Sequence, residues 1–429
     1  MPVPTTTDRL AARADAAGLP LLTAMVRLLR GPLAGRHTLL AVCPNSDAVT
    51  RAALRAARAA DAPLLYAATL NQVDTDGGYT GWTPQQLAAF VDDQAERLGV
   101  DSPVLLCLDH GGPWKKDVHA IEDWSYDATM AAVTDSLAAC IDAGYRLLHI
   151  DPTVDRRLPP GTPVPVEDIV ARTVELMQHA EAHRRAVGAP PLAYEVGTEE
   201  VGGGLQTEQR VGAFLKQLAT ALDAHDLPHP DFVVSDVGTA LDTTHFNPVQ
   251  ARRLTARARR LGALIKGHYT DGVAHPEAYP LAGMGGANVG PGFSAVEYDA
   301  LMDLVRLERR LGQRSGFPEA LRTAVIDSGR WEKWRHPEEQ GLAFAELPSA
   351  RQDWLVKTGS RYVWTRPAVA ETRQQLYANV APYRDADAYV VWRIEQQVMH
   401  YLHAFNLVGF NQVLLEHLPT LADGESGKG

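Results

Sequence analysis

Histidines and carboxylates at the ends of apolar runs are the residues of this sequence best suited to chemistry. "PVLLCLDHGGPW" ends in Asp109 and His110, and "YRLLHIDPT" carries His149 and Asp151. "YEVGTEE" brings Glu195, Glu199 and Glu200, and "LIKGHYTD" brings Lys266, His268 and Asp271. Asn71 and Gln72 follow "PLLYAATL", while Asn288 and Gly290 stand in "GMGGANVGPGFS". Two histidines with one or two carboxylates suit a divalent ion, with Zn, Mn, Co and Fe all compatible. Each residue alone also has a plainer reading. A histidine at a strand end is commonly a hydrogen-bonded loop residue, and an aspartate there is commonly a helix cap. Three acids directly after a buried run, however, are costly unless paired or metal-bound. The joint pattern therefore leads us to expect a metal site.

Other chemistries find less support. No Ser sits in a GxSxG elbow, so a nucleophilic triad is not indicated. Lys266 is the one lysine in an apolar run that could form a Schiff base, and His268 beside it fits a metal better. The glycines around Gly290 are either a phosphate cradle of backbone N–H groups or a plain loop. Arg361 and Lys357, in "VKTGSRYVW", are either cationic partners for a substrate or ordinary surface charges.

These residues need elements to bring them together. Continuous apolar runs at 37–43, 63–70, 103–109, 145–151, 191–197, 231–238 and 262–268 read as strands, with a weaker eighth in 279–290. Amphipathic stretches separate them, several opening on Ser, Thr or Asn and closing near Gly. Apolar strands alternating with helices mean a parallel sheet covered on both faces, and eight units mean a (β/α)8 TIM barrel. An open doubly wound sheet is the alternative, but no GxGxxG follows the first strand. The organisation expected is an N-terminal segment and helix (1–36), an α/β TIM barrel (37–317) and a helical C-terminal extension packed on it (318–429).

A net charge of −11 argues against a nucleic-acid partner, which needs a basic face, but allows a local cationic site for an anionic small molecule. Three cysteines without a CxxC give no disulfide framework and suggest a reducing compartment. "MPVPTTTDRLAARADAAG" has no signal-like apolar stretch, and no run approaches the roughly 18 apolar residues of a membrane span. We expect a cytoplasmic protein, with the tail "ADGESGKG" disordered.

Several segments together resemble a known family. "LNQVDTDGGYTGWTP", "LDHGGPW", "LLHIDPT", "YEVGTEEVGGG", "GHYTD" and "NVGPGF" are similar to the so-called non-catalytic subunit of class II D-tagatose-1,6-bisphosphate aldolase. The tagaturonate epimerases are more distant relatives. The likeness runs from about residue 36 into the extension, where "RWEKW" and "SRYVW" share it. The resemblance implies a TIM barrel related to class II ketose-bisphosphate aldolases. It also implies that Asp109 is an acid/base and that His110, Glu199 and His268 are metal ligands. Asp151 becomes a second acid/base or ligand, and Glu195 joins the catalytic set. Asn71, Gln72, Asp271, Asn288, Gly290 and Arg361 are the expected substrate contacts. The family pattern has an apolar residue where this chain has Glu195, and Lys where it has Asn288. Both departures favour a changed substrate, a monophosphate or a different sugar.

Two functional readings follow. In the first, the protein is a metal-dependent enzyme acting on a ketose or ketose phosphate through an enediolate. Epimerisation, at C4 by retro-aldol and aldol steps or at C3 by proton transfer, is favoured over simple aldol cleavage. In the second, it is a non-catalytic stabilising partner of an aldolase. The expected cofactor is Zn, Mn or Co. The expected partners are a sugar or sugar phosphate and either further copies of the chain or an aldolase subunit, with no nucleic acid and no membrane.

Overall fold

The computed structural model describes residues 4–159, 161–197, 208–241 and 243–421. Eight parallel strands close into a barrel in chain order, β8 pairing back onto β1. They are β1 (Leu39–Val42), β2 (Leu64–Thr69), β3 (Val104–Gly111), β4 (Leu147–Ile150), β5 (Ala193–Gly197), β6 (Phe232–Val234), β7 (Leu264–Gly267) and β8 (Gly286–Val289). Nearly every strand residue is buried, because helices cover the outside and side chains fill the inside.

The helices begin where their caps predict. Ser46 accepts from the Val49 N–H to start Asp47–Ala60, and Thr83 and Gln86 form a reciprocal capping box at Pro84–Leu98. Asn247, followed by Pro248, opens Pro248–Ala258. Each cap fixes where a βα loop ends, and so where the polar strand-end residues stand. The extension adds helices at Phe317–Asp327, Ser349–Gly359, Pro367–Val380, Ala386–Ala404 and Phe410–His417. Its longest member, Ala386–Ala404, packs on Asp47–Ala60 and Pro291–Arg310, tied by Arg51–Asp387 and Arg55–Glu395 ion pairs.

The faint eighth strand is present, and β3 departs from its expected end. The weak eighth run forms a full staves-edge: all four residues of β8 pair with Leu39–Val42. Glycine lowers its intrinsic strand signal, but Gly286 fits because Lys266 carbons and the Phe232 ring lie where larger side chains would go. β3, expected to stop at Asp109, continues through His110 to Gly111, and its register against β4 shifts between Leu108 and Gly111. His110 takes a φ of 54°, the left-handed region, so the strand bulges at the Asp-His pair. Among the described residues no helix is long and apolar enough to cross a membrane.

Candidate metal centre

The C-terminal ends of β3, β4, β5, β7 and β8 deliver one connected cluster. His110 Nδ1–H donates to Asp151 Oδ2 at 2.6 Å, and His268 Nε2–H donates to Glu195 Oε1 at 3.1 Å. These bonds place the protons on the ring nitrogens that face the carboxylates. The other two nitrogens, His110 Nε2 and His268 Nδ1, then face each other at 3.2 Å. Two lone pairs aimed at one another are favourable only with a positive charge between them, a proton or a cation. A carboxylate behind each imidazole is also how metal-binding histidines are oriented and made more basic. Asp109, His110, His149 and His268 can each offer a donor atom, all within 4.8 Å of one another. The donor set therefore fits a divalent ion.

Charge compensation keeps the acids ionised. Burial alone would raise the Asp109 carboxyl, but the His110 and His268 charges hold it well below the usual range. Asp151 behaves likewise: burial is outweighed by Lys115, whose Nζ is 2.8 Å away, and by His110. Glu195 is lowered against its burial chiefly by Lys266, whose Nζ donates to both carboxylate oxygens at 3.0 and 2.7 Å. His110 is raised: burial opposes its charge, but Asp109 and Asp151 outweigh it. Lys266, equally buried, is raised by Glu195 and Asp109 and stands as a paired ammonium, not a free nucleophile.

The cavity above this cluster gathers most of the expected site residues. Asp109, His110, His268, Asn71, Gln72, Asp271, Asn288, Gly290 and Arg361 all line it. Asp151 and Glu195 do not; they lie behind the imidazoles, fully buried. Glu199 lies outside the described residues, as does the tail "ADGESGKG". Asn288 Nδ2 donates to Asp109 Oδ2 at 3.0 Å. Asn71 accepts from the Asp117 N–H and from Arg330, and Gln72 donates to Asn45. Asp271 accepts from the Gly290 and Gly292 N–H groups at 3.0 and 2.6 Å, so the start of helix Pro291–Arg310 already holds a carboxylate. Arg361 gives its hydrogen bonds to neutral oxygens, the Thr358 carbonyl and the Tyr362 hydroxyl, and stacks over Tyr362.

Sequence reasoning assigned no role to His149, Lys115, Lys333, Trp334, Tyr79 or Tyr362, all of which touch the cluster or the cavity. One signal was legible. His149 and Asp151 stand two apart, so strand alternation turns both to the same face. Lys333, Trp334 and Tyr362 come from the extension, and nothing in local spacing says that it reaches over the barrel mouth.

Comparisons with known proteins agree with this architecture. Residues 29–229 match the family model described as D-tagatose-1,6-bisphosphate aldolase subunit GatZ/KbaZ-like. The D-tagatose-1,6-bisphosphate aldolase subunit GatZ of Klebsiella pneumoniae subsp. pneumoniae is 26% identical over 375 residues, 81% of this chain and 85% of that protein. Among solved structures, a probable tagatose 6 phosphate kinase from Sinorhizobium meliloti 1021 matches with a TM-score of 0.66 at 22% identity, over 86% of this chain and 100% of that one. The fructose-bisphosphate aldolase of Campylobacter jejuni matches with a TM-score of 0.50 at 10% identity, over 90% of this chain and 94% of that one. At these identities the structural matches speak to fold: a TIM barrel. By sequence, the chain is similar over residues 29–229 to D-tagatose-1,6-bisphosphate aldolase subunits of the GatZ/KbaZ-like kind.

Proposed function

We propose that the protein is a metal-dependent enzyme acting on a ketose or ketose phosphate, most simply as an epimerase or an aldolase-type lyase. The observation that carries this reading is the pair of facing imidazole nitrogens, each ring backed by a buried carboxylate. His110 and His268 would hold a divalent ion, Zn, Mn or Co, with Asp109 beside them. Such an ion, when bound, supplies Lewis-acid polarisation of a carbonyl next to a hydroxyl. Asp109 lines the cavity in its ionised form and moves a proton at the carbon next to that carbonyl or at a substrate hydroxyl. Asn288 fixes the orientation of Asp109 through its 3.0 Å hydrogen bond. Asp151 and Glu195, shut off from the cavity, orient the two histidines instead of meeting substrate. Asn71 and Gln72 offer polar contacts to sugar hydroxyls, and Asp271 accepts from one. Arg361, whose hydrogen bonds go to the Thr358 carbonyl and the Tyr362 hydroxyl, suits an anionic end of the substrate.

The second reading is that of a partner subunit of an aldolase, as the name of the Klebsiella relative states for that protein. A site that only stabilised a partner would have no need of both carboxylate-backed histidines. Metal analysis and an NMR survey of ketoses, ketose monophosphates and ketose bisphosphates, resolving epimers and trioses, test the proposal. We expect one divalent ion per chain and turnover of at least one sugar. His110→Ala and His268→Ala are each expected to lower that turnover by about a thousandfold or more while thermal unfolding stays cooperative. Protein that neither retains nor responds to Zn, Mn or Co ends the enzyme reading.

A further inference from the structure

His149 belongs to the same cluster by distance, yet its bonding sets it apart. It is fully buried on β4. Its Nε2–H donates to the Gly197 carbonyl at the end of β5, at 2.7 Å. Its Nδ1 lies 3.1 Å from the backbone N of His110, which donates to it, and 3.1 Å from Asp109 Oδ1. Both ring nitrogens therefore already have partners within the protein. His110 and His268 are arranged otherwise: one ring nitrogen of each faces a carboxylate of β5 or the β4 end, and their other ring nitrogens face each other.

The bond to His110 sits where the backbone is least willing to go. His110 has a φ of 54° in a β-bulge, a conformation that costs a non-glycine residue free energy and persists only when its surroundings enforce it. The bulge also presses on β4 directly. A Cβ on Gly111 would fall 2.9 Å from the His149 carbonyl oxygen, and one on Gly112 would fall 1.9 Å from that of Asp151. Glycine thus lets the chain approach, and His149 supplies the acceptor that the displaced N–H of His110 needs inside a dry core.

We infer that His149 is a positioning residue and not a metal ligand: it ties the backbone of the β3 bulge to the end of β5 and so aims Asp109 and His110. The role of His110 as ligand rests on the proposal above; the tie itself does not. Its test uses the full chain with Zn²⁺ and Co²⁺ alone. Histidine ring ¹⁵N NMR should show His149 with a protonated Nε2 and a hydrogen-bonded, unprotonated Nδ1, unchanged when Zn²⁺ is added. His149→Asn places a carbonyl oxygen near the Nδ1 position and should keep the Co²⁺ absorption spectrum and its affinity within about threefold, whereas His149→Leu should weaken affinity by about tenfold or more. His110→Ala should abolish the spectrum. A Zn²⁺-induced shift of His149 Nδ1, or loss of the Co²⁺ spectrum in His149→Asn to the extent seen in His110→Ala, overturns the inference. If the wild-type chain binds neither ion, the metal reading fails, and the His149 ring signals still decide the tie: the stated tautomer upholds it and a doubly protonated ring ends it.

Discussion

Asp151 and Glu195 at the C-terminal ends of β4 and β5, and Asp231 just before β6 at the opposite end of the barrel, are all buried carboxylates in opposite states. The first two are lowered, because lysines and histidines outweigh burial. Asp231 is raised to about 7, because burial outweighs the Thr23 hydroxyl at 2.9 Å, a backbone hydrogen bond with Tyr194 and the Arg27 and Arg30 charges. One barrel therefore lets cations outweigh burial at its mouth and lets burial outweigh the cations at its base. If that account is right, the mouth should be sensitive to losing a cation and the base should gain from losing its acid.

The largest effect is expected at Lys266. Lys266→Met leaves Glu195 buried without its main counter-charge, which should cost about 3–5 kcal/mol of stability in denaturant unfolding. Replacing both, as Lys266→Met with Glu195→Leu, should recover much of that loss, because an apolar pair needs no compensation. A loss below about 1 kcal/mol in the single variant would mean that the rest of the cluster holds the Glu195 charge without Lys266, and the comparison would break at its first term.

At the base the sign reverses. The raised Asp231 keeps its proton in the fold up to about pH 7, whereas its ordinary value is 3.8. Between those values the native state binds more protons than the unfolded chain, so this residue lowers stability as pH rises from about 4 to 7. Asp231→Asn should remove that dependence. We expect a gain of about 2–3 kcal/mol at pH 8 and almost none at pH 4, read from unfolding at both values. An equal effect at both would show that packing, not ionisation, governs the site.

This contrast between mouth and base also marks how far the sequence could be read. Seven strands and the barrel were legible because buried parallel strands write continuous apolar runs, and Asp109, His110 and His268 were legible because polar residues ending such runs are costly without a use. The eighth strand was faint because its identity rests on pairing with β1 and not on its own glycine-rich composition. The bulge at His110 had no signal, since it depends on His149 from another strand. Lys266 and Glu195 each read as a polar residue in an apolar run; that each is the other's partner, across 71 residues of chain, is a property of the closed barrel. Asp231 gave no sign of its state, because burial by Thr23 and its neighbours is purely tertiary.

Glu297 sharpens the comparison by separating place from compensation. It lies on helix Pro291–Arg310 and accepts from Ser46 Oγ at 2.7 Å, on the loop that follows β1, so it belongs to the mouth end. Yet it too is raised, to about 7, because burial outweighs Arg373, whose nearest nitrogen is 3.8 Å away, and the Ser46 hydrogen bond. What decides the charge is then the number and closeness of cations, not the end of the barrel. Arg373→Met removes the nearest one. Above pH 7 Glu297 is mostly ionised and the loss of attraction should cost under about 1 kcal/mol, the guanidinium being partly solvated; at pH 5 Glu297 carries its proton and the cost should vanish. Unfolding measured at pH 8 and pH 5 reads that difference. A loss of the same size at both values would assign Arg373 to packing of the extension, and Glu297 would drop out of the comparison.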